Sequence, residues 1–212
     1  EGNMLNTIAS IYHELGDTDR AIVNYEAAMN ANAQLNRPDF DAITLANVAS
    51  LRAERGEFDT AIEIGERALA LCRMHAVGFL PEVLAALAGA YGGRGEFDQA
   101  RTLLNAALAM LDASSVSFDD AVRSSVELAF GRVELSAKND TEALSHFCRA
   151  LGLAEVINAK PIEFSAHCAL ADLYKAMGQF EEAVYHLEKK FAINQSIFNE
   201  GTDIRIKTLQ VA

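Results

Sequence analysis

Five times this chain passes from an apolar, helix-spaced stretch through a short polar break into a second stretch that opens on alanine. The breaks read GDTDRA (16–21), GEFDTA (56–61), GEFDQA (95–100), KNDTEA (138–143) and GQFEEA (178–183). Aligned on Ala21, Ala61, Ala100, Ala143 and Ala183, the spacings are 40, 39, 43 and 40 residues. A self-similar period of this size marks a solenoid of helical hairpins, each burying its apolar face against its neighbours. Such a chain builds an extended surface for a partner rather than an enclosed reaction site.

Within each repeat a first helix carries its apolar side chains at offsets of three and four, which places them on one face. Leu5, Ile8, Ala9 and Tyr12 form the first stripe. Leu45, Val48, Ala49 and Arg52 hold the same positions next, followed by Leu84, Leu87, Ala88 and Tyr91. Leu170, Ala171 and Tyr174 repeat the pattern in the fifth. The small residue of each set (Ala9, Ala49, Ala88, Gly131, Ala171) is expected where two helices approach closely. In the second helices, Ala21, Tyr25 and Ala28 recur as Ala100, Leu104 and Ala107, then as Ala143, Phe147 and Ala150.

The breaks have a physical cause. Gly16, Gly56, Gly95 and Gly178 stand just past a first helix, where a left-handed residue ends it at low steric cost. The acids that follow, among them Asp17, Glu57 and Asp59, are expected to cap the positive start of the second helix. Phe58, Phe97 and Phe180 are placed to wedge under the corner. Pro38, Pro81 and Pro161 open first helices, at the first turn that proline tolerates. Phe118 and Asp119 take that role in the fourth repeat.

These residues resemble the tetratricopeptide repeat (TPR) family over nearly the whole chain. Repeats one, three and five meet its pattern well. Repeat two departs with Arg52 for the aromatic and Gly65 in the second helix. Repeat four departs further, with Glu134 for the aromatic and Lys138 for the glycine. The period exceeds the family's usual 34 residues, so each hairpin is longer by about a helical turn. The resemblance implies an all-α fold: a right-handed superhelical solenoid of about five TPR-like hairpins plus a C-terminal helix. The expected division is a solenoid over residues 1–190, in repeats of about 1–36, 37–79, 80–116, 117–159 and 160–190, and a capping or signalling helix over 191–212.

Family geometry implies that the first helices line a concave groove. Its candidate binding positions are Asn3, Asn6, Ser10 and His13 in repeat one, and Asn47, Ser50 and Glu54 in repeat two. Gly89 and Gly92 follow in repeat three, Ser125 and Arg132 in repeat four, and Asp172 and Lys175 in repeat five. Asparagine side chains can hydrogen-bond a peptide backbone, glycines let it come close, and Arg132 and Lys175 suit a carboxylate. The clamp of chaperone-binding family members needs basic residues where Glu82, Ala85 and Ala86 stand, so that subclass is disfavoured, although Asn47 fits it. The glycines of the stretch GAYGGRGEF (89–97) read either as a close approach or hinge, or as an early helix end.

A net charge of −12 repels phosphate backbones and anionic membrane surfaces, so nucleic acid and membrane are poor partners. Cys72, Cys148 and Cys168 lie in helical stretches without a CxxC pair, which reads as reduced thiols in the cytoplasm. His146 and His186 occupy equivalent positions in adjacent second helices and are expected near each other. Three or four converging ligands are not apparent, so no metal is expected. No phosphate loop or nucleophile signature occurs, and no catalytic residue and no cofactor are expected.

After Lys190, Ile197, Ile204 and Val211 recur at intervals of seven, as in a coiled-coil seam that Gly201 interrupts. The run IFNEGTDIRIKTLQ (197–210) resembles the linker after such repeats in bacterial diguanylate cyclases and related signalling proteins. This implies a segment cut from a longer protein: a partner-binding or self-associating sensory scaffold whose output domain lies beyond it. A stand-alone adaptor is the alternative, and a peptide-responsive transcription regulator a third. The expected partner is a protein or peptide, with a homodimer through the terminal repeats or tail helix.

Overall fold

The structure, a computed structural model, describes the backbone of residues 2–14, 17–34, 38–113 and 120–210. Side chains are described as far as Ser196, apart from a few near helix ends. Phe118, Asp119 and Gly16, and the side chains of Ile197, Ile204 and Val211, lie outside the described residues.

Among the described residues ten α-helices follow one another: α1 (Gly2–Glu14), α2 (Thr18–Gln34), α3 (Pro38–Glu54), α4 (Phe58–His75), α5 (Leu80–Arg94), α6 (Phe97–Ala113), α7 (Asp120–Ser136), α8 (Asp140–Ile157), α9 (Lys160–Ala176) and α10 (Phe180–Gln210). They pair as α1–α2, α3–α4, α5–α6, α7–α8 and α9–α10. Each second helix packs on the next first helix, and the first helices pack on one another in the order α1, α3, α5, α7, α9. No comparable contact joins successive second helices, so the first helices form the inner row of a helical-repeat solenoid.

The corners are built alike. In all five, the residue opening the second hairpin arm donates its N–H to the carbonyl five residues back: Asp17 to Tyr12, Glu57 to Arg52, Glu96 to Tyr91, Asn139 to Glu134 and Gln179 to Tyr174, at 2.9–3.0 Å. This bond closes the last helical turn only if the residue before the donor is left-handed. Gly56, Gly95 and Gly178 meet that need with φ of 78°, 90° and 75°. Lys138, the departure from glycine, adopts the same conformation at φ 62°. A side chain there costs about 1 kcal/mol relative to glycine.

Asp17 caps α2 as expected, accepting from the Arg20 N–H at 3.2 Å. Glu57 does not cap α4 with its side chain. Its carboxylate turns instead to Arg52 at 2.6 Å and Arg55 at 3.2 Å. A guanidinium close by outcompetes a neutral amide for a carboxylate.

The core is a spine of alanines. Ala9, Ala49 and Ala88 of the first helices are fully buried, as are Ala21, Ala61, Ala100 and Ala143 of the second. Large side chains fill the space between hairpins. Tyr25 packs with Val48 and Leu51, Leu104 with Val126, Phe130 and Val133, and Phe147 with Ala166, Leu170 and Leu173. Gly131 stands in for alanine where Phe147 is the neighbour: a Cβ there would lie 2.5 Å from the ring. Gly65 makes room in the same way, for Leu87 of the following hairpin. The glycines of α5 divide. Gly92 abuts Val133 and Gly93 abuts the corner phenylalanine Phe58, both as close approaches, whereas Gly89 faces open space.

α10 is much longer than the other second helices and runs through Lys190 and Gly201 without a break in its backbone.

Two substitutions test this account. Gly131→Ala should destabilise the fold by about 2 kcal/mol, because the fully buried Phe147 ring must shift. Lys138→Gly should stabilise it by about 0.5–1 kcal/mol. Urea unfolding midpoints of the two variants check both signs.

Candidate functional site

The inner row presents its polar positions along one face. At its N-terminal end Asn6, Thr44 and Asn47 form one cluster: the Asn47 amide donates to Asn6 Oδ1 at 3.4 Å, and the Thr44 hydroxyl, which is 3.0 Å from the Phe40 carbonyl, lies 3.3 Å from the same Asn6 oxygen. Ser10 donates to the Asn6 carbonyl and sits 3.2 Å from the Tyr25 hydroxyl. His13 Nε2 meets Glu54 Oε2 at 2.7 Å, tying α1 to α3. Burial raises the Glu54 carboxyl, but the His13 hydrogen bond and the charges of His13 and Arg132 outweigh it, so its pKa falls below the ordinary carboxylate value. Arg132 belongs to α7, and α5 lies between it and α3.

Ser50 is half-buried on this face, and Ser125, Arg132, Asp172 and Lys175 are exposed. Gly92 is not an open groove position: it is buried beneath Val133 of α7. The side chain of Asn3 lies outside the described residues. Thr44, which the sequence pattern did not single out, joins Asn47 in the contact of α3 with Asn6.

The two non-aromatic residues of the stripe have built partners. Glu134 is buried and receives a fork from Arg101 of α6, Nε to Oε1 at 2.7 Å and Nη2 to Oε2 at 2.9 Å. Asn139 donates to the same carboxylate at 2.6 Å. The Arg101 hydrogen bond holds the Glu134 pKa low against the opposing effect of burial. Arg52 pairs with Glu57, as above. In the third repeat the aromatic itself makes the junction: the Tyr91 hydroxyl donates to Glu66 of α4 at 2.9 Å.

A second departure runs through repeats four and five. The leading leucine of the stripe, Leu5, Leu45 and Leu84 in the first three repeats, becomes Glu127 and His167. Both are buried. Each meets the histidine of its own hairpin partner. His146 Nδ1 lies 2.6 Å from Glu127 Oε2, with Phe130 stacked on its ring at 4.0 Å and Arg149 donating to the same oxygen at 3.1 Å. His167 and His186 face each other through their Nδ1 atoms at 2.8 Å, one donating to the other. The expected approach of His146 to His186 does not occur, because each histidine points inward across its hairpin rather than along the stack. Among the described residues no three histidine, cysteine or carboxylate side chains converge as metal ligands do. The three thiols are free, and no helix among the described residues is long and apolar enough to cross a membrane.

Burial lowers the pKa of both His167 and His186, with Glu163 opposing and Lys189 adding for His167, and the His167 charge adding for His186. The unfolded chain takes up these protons first, so the contribution is complete above the ordinary value of 6.5 and is lost as pH falls through the lower folded values. Urea midpoints should therefore drop between about pH 7 and pH 5.5, before the paired carboxylates titrate, and His186→Leu should flatten that slope.

Comparison with known proteins agrees with this geometry. Models described as tetratricopeptide repeat match residues 1–74 and 164–195. No curated protein matches the chain in sequence. Among solved structures, a thermophilic TPR protein of Thermus thermophilus superposes with a TM-score of 0.65 at 20% identity, covering 100% of both chains. Aspartyl phosphate phosphatase F of Bacillus subtilis gives 0.61 at 14% identity, covering 92% of this chain and 52% of the other. BtubC of P. vanneervenii gives 0.55 at 21% identity, over 92% and 80%. At such identities the likeness is one of fold. Tetratricopeptide repeats are thus recognised in sequence over residues 1–74 and 164–195, and the helical-repeat fold is shared along the chain.

Proposed function

We propose that the chain is a partner-binding scaffold whose concave face takes an extended peptide or protein segment. The observation that carries the reading is the middle of the inner row. Gly89 presents open backbone there, between the hydrogen-bonding side chains Asn47 and Ser50 on α3 and the exposed Arg132 on α7. A strand of polypeptide can approach a bare helix turn closely, while amide and hydroxyl groups on either side satisfy its backbone. Glu54 and Arg132 offer one charge of each sign, which suits a zwitterionic segment rather than a uniformly charged polymer.

The finer reading places this scaffold as the sensory segment of a cytoplasmic bacterial signalling protein, such as a diguanylate cyclase. α10 would be the connection to its output domain. The similarity of residues 197–210 to such linkers supports this, as does a helix that continues from the last hairpin through that run. The full-length coding sequence tests it: an output domain after residue 212 supports the reading, and a stop codon there sinks it.

The groove is tested directly. Peptides selected from a random twelve-residue display library against the wild-type chain should bind Gly89→Trp at least about tenfold more weakly. The fold tolerates the tryptophan, since nothing lies within 4 Å of the Cβ position. Val156→Trp, on the exposed side of α8, should leave binding unchanged. Equal binding to all three proteins would overturn the concave assignment.

A further inference from the structure

One junction recurs at three of the four hairpin boundaries inside the solenoid, the exception being α4–α5, where Gly65 replaces the large residue and admits Leu87. A second helix offers a large residue four places after its leading alanine, and the next first helix receives it. The receiving positions lie eight, four and one residues before the aromatic of the stripe. Tyr25, Leu104 and Phe147 fill the donating position and are at most 1% exposed. Val126, Phe130 and Val133 show the receiving set in α7, packed with Leu104.

Among the described residues both halves of this junction are uncovered on α1 and α10. On α10 the donating position is Leu187, and Phe180, Val184 and Phe191 lie on the same face at helical spacing. These four are 50–66% exposed. On α1 the receiving positions are Met4, Ile8 and Ile11. Met4 is 63% and Ile11 51% exposed, whereas their equivalents in the other first helices are buried. Scattered single apolar residues on a surface need no explanation, but a contiguous stripe at a known packing position does.

The two ends also match in their polar detail. Tyr12 of α1 holds the position of Tyr91, and Glu188 of α10 holds that of Glu66. Inside the chain that pair is the hydrogen bond between α5 and α4. A second copy docked in the register of α5 on α4 would place the Tyr12 hydroxyl against the Glu188 carboxylate and repeat that bond.

We propose that the chain associates head to tail with itself, the α10 face of one copy receiving the α1 face of the next as though the solenoid continued. This surface is separate from the concave groove, and the proposal does not depend on it. The contact is heterologous, so it propagates into an open filament unless the superhelical rotation closes a ring.

The test is the solution mass of the full 212-residue chain by light scattering over a concentration series, with two variants. Both replaced side chains are half-exposed, so Leu187→Glu and Ile11→Glu leave the monomer folded, which circular dichroism verifies. The wild type should grow with concentration to at least about twice the monomer mass. Each variant alone should remain monomeric, because each has lost one half of the junction. Mixed in equal amounts they should form a one-to-one dimer, since the intact α10 face of Ile11→Glu meets the intact α1 face of Leu187→Glu. A wild type that stays monomeric at every concentration overturns the proposal and leaves the α10 face to a different occupant. Dimers of Ile11→Glu that persist while Leu187→Glu is monomeric overturn it in favour of a symmetric contact between two α10 helices.

Discussion

Everything in this molecule depends on how closely two helices can approach. In the first three hairpins a fully buried alanine on each arm brings the backbones together, and the large side chains are thereby driven outward into the space between hairpins. That displacement is what makes the repeats stack. Each hairpin cannot cover its own tyrosine, leucine or phenylalanine and must borrow the surface of its neighbour. The compensation is quantitative at Gly131, where a smaller residue on one arm admits the phenylalanine ring of the other.

The solenoid is nevertheless not built from identical joints. Between α4 and α5 a tyrosine hydroxyl reaches a glutamate, and between α6 and α7 an arginine forks onto a buried glutamate. The latter pair makes its junction specific rather than merely tight, since a buried carboxylate needs that guanidinium and no apolar neighbour can replace it. Within the last two hairpins the apolar interior gives way to Glu127–His146 and His167–His186. These polar pairs are short and enclosed, so they fix the register of their hairpins more sharply than a pair of leucines would.

The alanine frame and the glycine corners were legible in the sequence because they are set by local backbone requirements, which repeat with the period. Lys138 was legible too, once aligned with the glycines, because the hydrogen bond from the following residue imposes a left-handed turn on whatever stands there. Other features were not. Arg52 and Glu134 looked like defects in an aromatic position, since their partners differ: Glu57 in the adjoining corner and Arg101 in the preceding hairpin. Glu57 looked like a cap until the arginines beside it were placed. The histidines were assigned to each other along the stack, whereas the helical phase turns them across it. A readable signal existed: the repeats that lose the leading leucine, at Glu127 and His167, are those that carry histidine three places after the alanine. On the concave face, Gly89 and Gly92 look alike in sequence and differ only because α7 covers one of them.

The polar interior has a consequence for how the chain comes apart. A solenoid holds each unit only through its immediate neighbours, so the free energy of opening is local and need not be uniform along the length. Among the described residues the hairpin of α9 and α10 packs on α7 and α8 alone, with an apolar outer face and two buried imidazoles where the second and third hairpins have Leu45 with Ile64 and Leu84 with Leu103. Local opening is therefore expected to start at this end and to meet its first strong resistance at the interlocked joint at Glu134.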